Sequence, residues 1–110
     1  MTLLQQMERE RHRLRENLRH EVLRALRQLL RQTIAGQKVV VFGSLIRPGR
    51  FHDQSDVDIA IERETPGMTL YQLTALLCEG LGRPVDVLLL DECRFREKIL
   101  QQGQTWTLLD

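Results

Sequence analysis

The order of elements in these 110 residues predicts an α/β (α+β) fold. The expected architecture is a small mixed β-sheet of three to four strands packed with helices, preceded by a long N-terminal helix. Three observations predict it. Leucines recur at helical spacing through the first third of the chain. Two short apolar runs, KVVVF and PVDVLLL, then read as buried strands. Between them, DVDIAIE alternates apolar and acidic positions, the signature of a strand with two unlike faces.

From Leu3 to Ile34 the helix rests on Leu14, Leu18, Val22, Leu26 and Leu29, with no glycine or proline before Gly36. Each glutamate there has an arginine three residues on: Glu8 with Arg11, Glu10 with Arg13, Glu16 with Arg19, Glu21 with Arg24. Such pairs support an exposed helix. They also favour a solvated face over a nucleic-acid surface for this row of arginines. Few apolar residues precede Leu14, so the first turns are expected to project from the body. Gly36 ends the helix and Lys38–Phe42 forms the first strand. A loop with Pro48, Gly49, Asp53 and Ser55 leads to the strand Asp56–Glu62. Thr65-Pro66-Gly67 turns the chain into a helix from Thr69 to about Leu81, closed by Gly80 and Gly82. Pro84–Leu90 is the third strand. Asp91 is expected to cap a helix running through Gln102, with Phe95 and Ile99 inward. Thr105–Leu108 adds a short edge strand, packed by Trp106.

Hydrophobic residues make up 42% of the chain, enough for one small and marginal core. The expected organisation is a single domain over 1–110, with the N-terminal helix in 1–35 and the core in 36–110. Charge divides between the two parts. Residues 1–35 carry eight arginines against four glutamates, and residues 36–110 carry eight basic and eleven acidic residues, so a basic arm precedes an acidic body. No apolar run approaches the roughly 20 residues of a membrane span. The first residues, with Glu8 and Glu10 among arginines, do not read as a signal peptide. Cys78 and Cys93 form no CxxC pair and read as reduced thiols, consistent with a cytoplasmic protein.

The residues that carry chemistry lie in the acidic body. On a strand, Asp56 and Asp58 share one face about 6.6 Å apart along it. Two such carboxylates repel unless a cation lies between them, and a hard divalent ion such as Mg²⁺ takes one or two carboxylates along with phosphate and water. Asp86 is the lone charge in the apolar run PVDVLLL, and a buried carboxylate is costly unless paired or bound to metal. Gly43-Ser44 follows the first strand directly. Glycine allows close backbone approach to a phosphate, and a serine hydroxyl beside backbone N–H groups can hold phosphate oxygens. No Gly-Lys-Ser/Thr follows, so this is not a Walker A loop. Each signal alone is weak. Their order is specific: strand, Gly-Ser, loop, Ser-Asp-x-Asp, then a later strand aspartate. These are the parts of two-metal phosphoryl chemistry, in which two ions roughly 3.5–4 Å apart stabilise the attacking and leaving oxygens.

The segment GSLIRPGRFHDQSDVDIAIE, with VDVLLLD downstream, resembles the catalytic core of the DNA polymerase β-type nucleotidyltransferase superfamily. The small size resembles its minimal nucleotidyltransferase (MNT) members. The resemblance covers about residues 38–91 and implies a nucleotidyltransferase fold. It implies that Gly43 and Ser44 hold the triphosphate and that Asp56 and Asp58 bind both metals. Asp86 would hold the ion that activates the acceptor hydroxyl, and Arg47 would contact phosphates. Pro48 departs from the common Arg-Gly pattern and leaves the roles of Arg47 and Arg50 open. Two Mg²⁺ ions and ATP are implied by the family, since no residue in the sequence visibly reads adenine. Larger members carry a second helical domain, so a partner in trans, either a second copy or another protein, is expected to complete the site. MNT proteins pair with helical HEPN toxins, and the resemblance implies an antitoxin that neutralises its partner by adding AMP to a tyrosine. Two alternatives stand beside this: a non-catalytic module acting by occlusion, and an enzyme acting on a small molecule or an RNA end. His12, His20 and His52 read as surface or loop residues, and Tyr71 as a candidate for self-modification.

Overall fold

A computed structural model describes residues 1–108 of the chain. Helix α1 spans Leu3–Thr33. Thr2 and Gln5 start it with a capping box, in which the Gln5 N–H donates to Thr2 Oγ1 (3.1 Å) and the Thr2 N–H to Gln5 Oε1 (2.9 Å). Strand β1, Lys38–Phe42, leads into a 3₁₀ turn at Gly43–Ile46. Strand β2 is Val57–Ile61. Helix α2, Leu70–Leu81, begins with a second capping box between Thr69 and Gln72 and ends at Gly82 in the left-handed conformation. Strand β3 is Val85–Leu89, α3 is Arg96–Gln102 and β4 is Gln104–Thr107.

The four strands lie in the order β3-β2-β1-β4. β1 runs antiparallel to both β2 and β4, and β2 runs parallel to β3. The sheet is therefore mixed, as expected. Strand alternation gives it two different faces. One carries Val39, Val41, Val57, Ile59, Ile61, Val85, Val87 and Trp106, packed against Val22, Leu26 and Leu30 of α1 and Leu73 and Leu77 of α2. Arg27 stacks on Trp106, 4.2 Å from its centroid, and ties α1 to the β4 edge. The other face is only half covered. Ile99 of α3 packs on Val40, Ala60 and Leu90 there. The rest of that face is open, and it carries the aspartates.

Three expectations need correction. The helix expected from Asp91 is shorter: Leu90–Glu92 forms a 3₁₀ turn, and α3 starts only at Arg96. Asp91 does not cap it but lies 3.7 Å from the Arg96 guanidinium, which also binds Glu62 at 2.7 Å. Phe95 is not inward; it is 60% exposed. The projecting part of α1 is also longer than expected, because Leu14 is exposed and burial begins around Leu18.

Candidate active site

Two backbone registers assemble the site. Phe42 of β1 is the cross-strand partner of Asp58 on β2, and Asp58 is the parallel partner of Asp86 on β3. Phe42, Asp58 and Asp86 thus form one row across three strands on the open face. Asp56, two residues before Asp58, lies on the same side just ahead of the strand. Asp58 is half-buried, whereas Asp56 and Asp86 are exposed. Although Asp86 stands in an apolar run, it is exposed: β3 is an edge strand, and Ile99 of α3 covers Val40 and Ala60 but leaves Asp86 and Leu88 open.

Gly43 is fitted to this row. It turns the chain at φ 77°, in the left-handed region, and a Cβ at this position would collide with Asp58 Oδ2. Any other residue would be strained and would also push the carboxylate aside. The Gly-Ser turn and the central aspartate are therefore in van der Waals contact, which no spacing rule in the sequence could establish. Ser44 follows in the same turn, closed by the Arg47 N–H donating to the Ser44 carbonyl at 3.0 Å. Arg47 is exposed and lines a cavity of about 260 Å³ beside Gly43.

Burial, and then the negative charges of Asp86 and Asp56, push the Asp58 carboxyl above its usual range. Among the described residues, no lysine, arginine or histidine forms an ion pair with any of the three aspartates. Asp58 thus feels the charges of Asp86 and Asp56, and no described protein cation is ion-paired with any of the three.

A family model described as polymerase beta, nucleotidyltransferase, matches residues 24–106. The chain belongs to this nucleotidyltransferase family. The match takes in the Gly-Ser turn, all three aspartates and the last third of α1. The fold is also shared with a chain of the crystal structure of the toxin–antitoxin MntA–HepT, at a TM-score of 0.52 and 21% identity, covering 84% of this chain and 72% of that one. No curated protein matches the chain.

The residues of this nucleotidyltransferase domain fit a divalent cation by the chemistry of the donor set, which is all carboxylate and uncompensated. Among the described residues no three such groups close into a ready-made cage. Mg²⁺ does not need one, since it is usually held by one or two carboxylates plus substrate phosphates.

Two devices that hold the site were missed in the sequence. The Glu16 carboxylate accepts the Gly49 N–H at 2.9 Å, while Arg19 binds Glu16 at 3.0 Å and donates to the Leu45 carbonyl at 3.2 Å. These side chains are only 19% and 11% exposed. In the sequence the pair looks like the exposed pairs at Glu8–Arg11 and Glu10–Arg13, and no local signal separates it from them. Arg83 donates to the carbonyls of Ser55 (3.0 Å) and His52 (3.4 Å) and stacks on Phe51 at 4.8 Å, pinning the loop before Asp56. His52 is part of that loop's closure: its N–H donates to Ser55 Oγ, and its Nδ1 accepts the Gln54 N–H. Tyr71 lies exposed on α2. Among the described residues no helix is long and apolar enough to cross a membrane.

Proposed function

We propose that this chain transfers AMP from ATP to an acceptor hydroxyl, with Asp56, Asp58 and Asp86 holding two Mg²⁺ ions. The observation that carries this reading is the carboxylate row: Asp58 and Asp86 paired in register, without an ion-paired protein cation, and with Asp58 seated against Gly43. When bound, the ions supply positive charge that offsets the phosphates and favours ionisation of the acceptor hydroxyl. The bare backbone of Gly43 and the Ser44 hydroxyl hold phosphate oxygens, and Arg47 adds charge at the end of the turn. Asp86, exposed on the edge strand, stands on the side from which an acceptor can approach. The new bond joins the acceptor oxygen to the α-phosphorus. The bond from the α-phosphorus to the bridging oxygen breaks, pyrophosphate leaves, and the hydroxyl proton passes to water.

The acceptor in this reading is a tyrosine hydroxyl on a helical HEPN toxin, and its AMPylation neutralises the toxin. Support comes from the MNT-like motif order, together with the toxin–antitoxin setting of the structural neighbour. Residues 1–110 act as one minimal domain in the cytoplasm, and the partner completes the site in trans. The start of α1 supplies the docking arm: Leu3, Leu4, Met7 and Leu14 are all exposed along a helix that leaves the body. The same arm favours a second reading, an occlusion module that binds without turnover.

One experiment separates the two. The protein is incubated with its helical partner, ATP and Mg²⁺ and followed by intact-mass spectrometry, with Asp58→Asn as control. A gain of AMP units on the partner, absent in the control, supports the transferase. A stable complex with no mass change, neutralised equally well by the Asp58→Asn protein, refutes catalysis and leaves occlusion.

A further inference from the structure

The open face holds more than the carboxylates. Between their row and α3 runs a trench of about 260 Å³, bounded by Phe42, Leu88, Phe95, Arg47, Lys98 and Gln102, with Gly43 at its end. Its place follows from the registers. Leu88 lies two residues beyond Asp86 on the same face of β3, and Phe42 sits opposite Asp58. The apolar floor of the trench is therefore continuous with the carboxylate row. α3 forms the far wall and is pressed onto the sheet at Gly103, where a Cβ would lie 2.6 Å from Val40 Cγ1. Phe95 is 60% exposed, with the Arg94 guanidinium 5.8 Å from its ring centroid, and Leu88 is 38% exposed, so the trench keeps apolar surface open to solvent.

The lining combines three chemistries. An exposed aromatic ring and an apolar floor suit a flat, stacking ligand. Arg47 and Lys98 suit a ligand that carries negative charge next to that flat part. Gln102 offers an amide donor and acceptor side by side, the pair that binds N6 and N7 of adenine. A nucleoside triphosphate has all three matching parts, and its phosphates would reach Gly43 and Ser44 from here. We propose that this trench is the base subsite of the nucleotide, with Phe95 as the stacking wall and Gln102 as the reader of a purine edge. The inference rests on the nucleotidyltransferase reading and deepens it.

The test is calorimetric binding of ATP, CTP and inorganic tripolyphosphate, each with Mg²⁺, to the full chain and to Phe95→Ala, Gln102→Ala and Ser44→Ala. Phe95 and Gln102 are exposed, so both variants should fold, which a thermal melt checks. The expected result is that Phe95→Ala weakens ATP about tenfold and leaves tripolyphosphate within about twofold. Gln102→Ala should lower the preference for ATP over CTP, and Ser44→Ala should weaken ATP and tripolyphosphate alike. If Phe95→Ala and Gln102→Ala bind ATP as the parent does, the subsite is refuted while the enzyme reading stands. If both variants lose tripolyphosphate as much as ATP, the trench holds phosphates and the base assignment falls. If the parent binds none of the three ligands, the enzyme reading fails first and takes the subsite with it.

Discussion

Asp58 and Gly43 meet at a contact that leaves no room for a side chain at position 43. At φ 77° and against the Asp58 carboxylate, Gly43→Ala combines backbone strain with a steric clash. We expect it to cost roughly 1–3 kcal/mol of stability and to abolish ATP binding, as read by denaturant unfolding and calorimetry. Native-like stability with full ATP affinity would show that the turn is not built around the carboxylate. Glu16 makes a different prediction. Its bonds with Arg19 and the Gly49 N–H hold its carboxyl down to about 2 from 4.5. A depressed carboxyl adds stability that is fully present above its unfolded value and is lost as pH falls through its folded value. The melting temperature of Glu16→Gln should therefore lie below the parent's at neutral pH. The gap should close as pH drops from about 4.5 toward 2. A gap that stays constant across that window would mean that packing, not charge, holds the loop.

At the scale of elements, α1 does two separable jobs. Its second half, from Leu18 to Leu30, is core, and Glu16 with Arg19 grips the loop after the Gly-Ser turn. Its first half is an arm, a basic helix bearing apolar side chains that its own chain leaves exposed. Deleting residues 1–13 removes the arm and its capping box but no buried side chain. The truncated protein should keep its circular dichroism spectrum and its ATP affinity, and should lose partner binding in size-exclusion chromatography. Retained binding would move the docking surface elsewhere. α3 shows how an element can be misjudged locally. Phe95 and Ile99 have the spacing of an inward face, but only Ile99 meets the sheet, because the turn at Leu90–Glu92 delays the helix until Arg96.

The whole molecule measures 55 × 28 × 23 Å, and its radius of gyration of 15.4 Å exceeds the roughly 13 Å expected for a compact chain of this length. The excess is the arm, since a helix of 31 residues runs about 46 Å at 1.5 Å per residue. A body this small has few reserves, and ligand binding should show in its global stability. ATP with Mg²⁺ at a hundredfold excess over the dissociation constant should add about 2.7 kcal/mol to the parent and raise its melting temperature, with little effect on Asp58→Asn. Without metal the order should reverse. Removing the Asp58 charge relieves its repulsion with Asp86 and Asp56, so the variant should melt higher than the parent in chelator. Equal responses of the two proteins to ATP and Mg²⁺ would argue that the carboxylate row holds no ion.

The sequence by itself determined the elements and their order, because helical and strand periodicities are local. It also determined that Asp56 and Asp58 share a face, since strand side chains alternate whatever surrounds them. The motif order located the Gly-Ser turn and the third aspartate. Only the tertiary structure decided which strand is an edge, and hence that Asp86 is exposed. Only it paired Asp58 with Asp86, seated Gly43 against the Asp58 carboxylate, and turned one of several similar glutamate–arginine pairs into the clamp on the loop after the Gly-Ser turn. Register, burial and the partner of a charge depend on residues far away in the chain, and no local pattern encodes them.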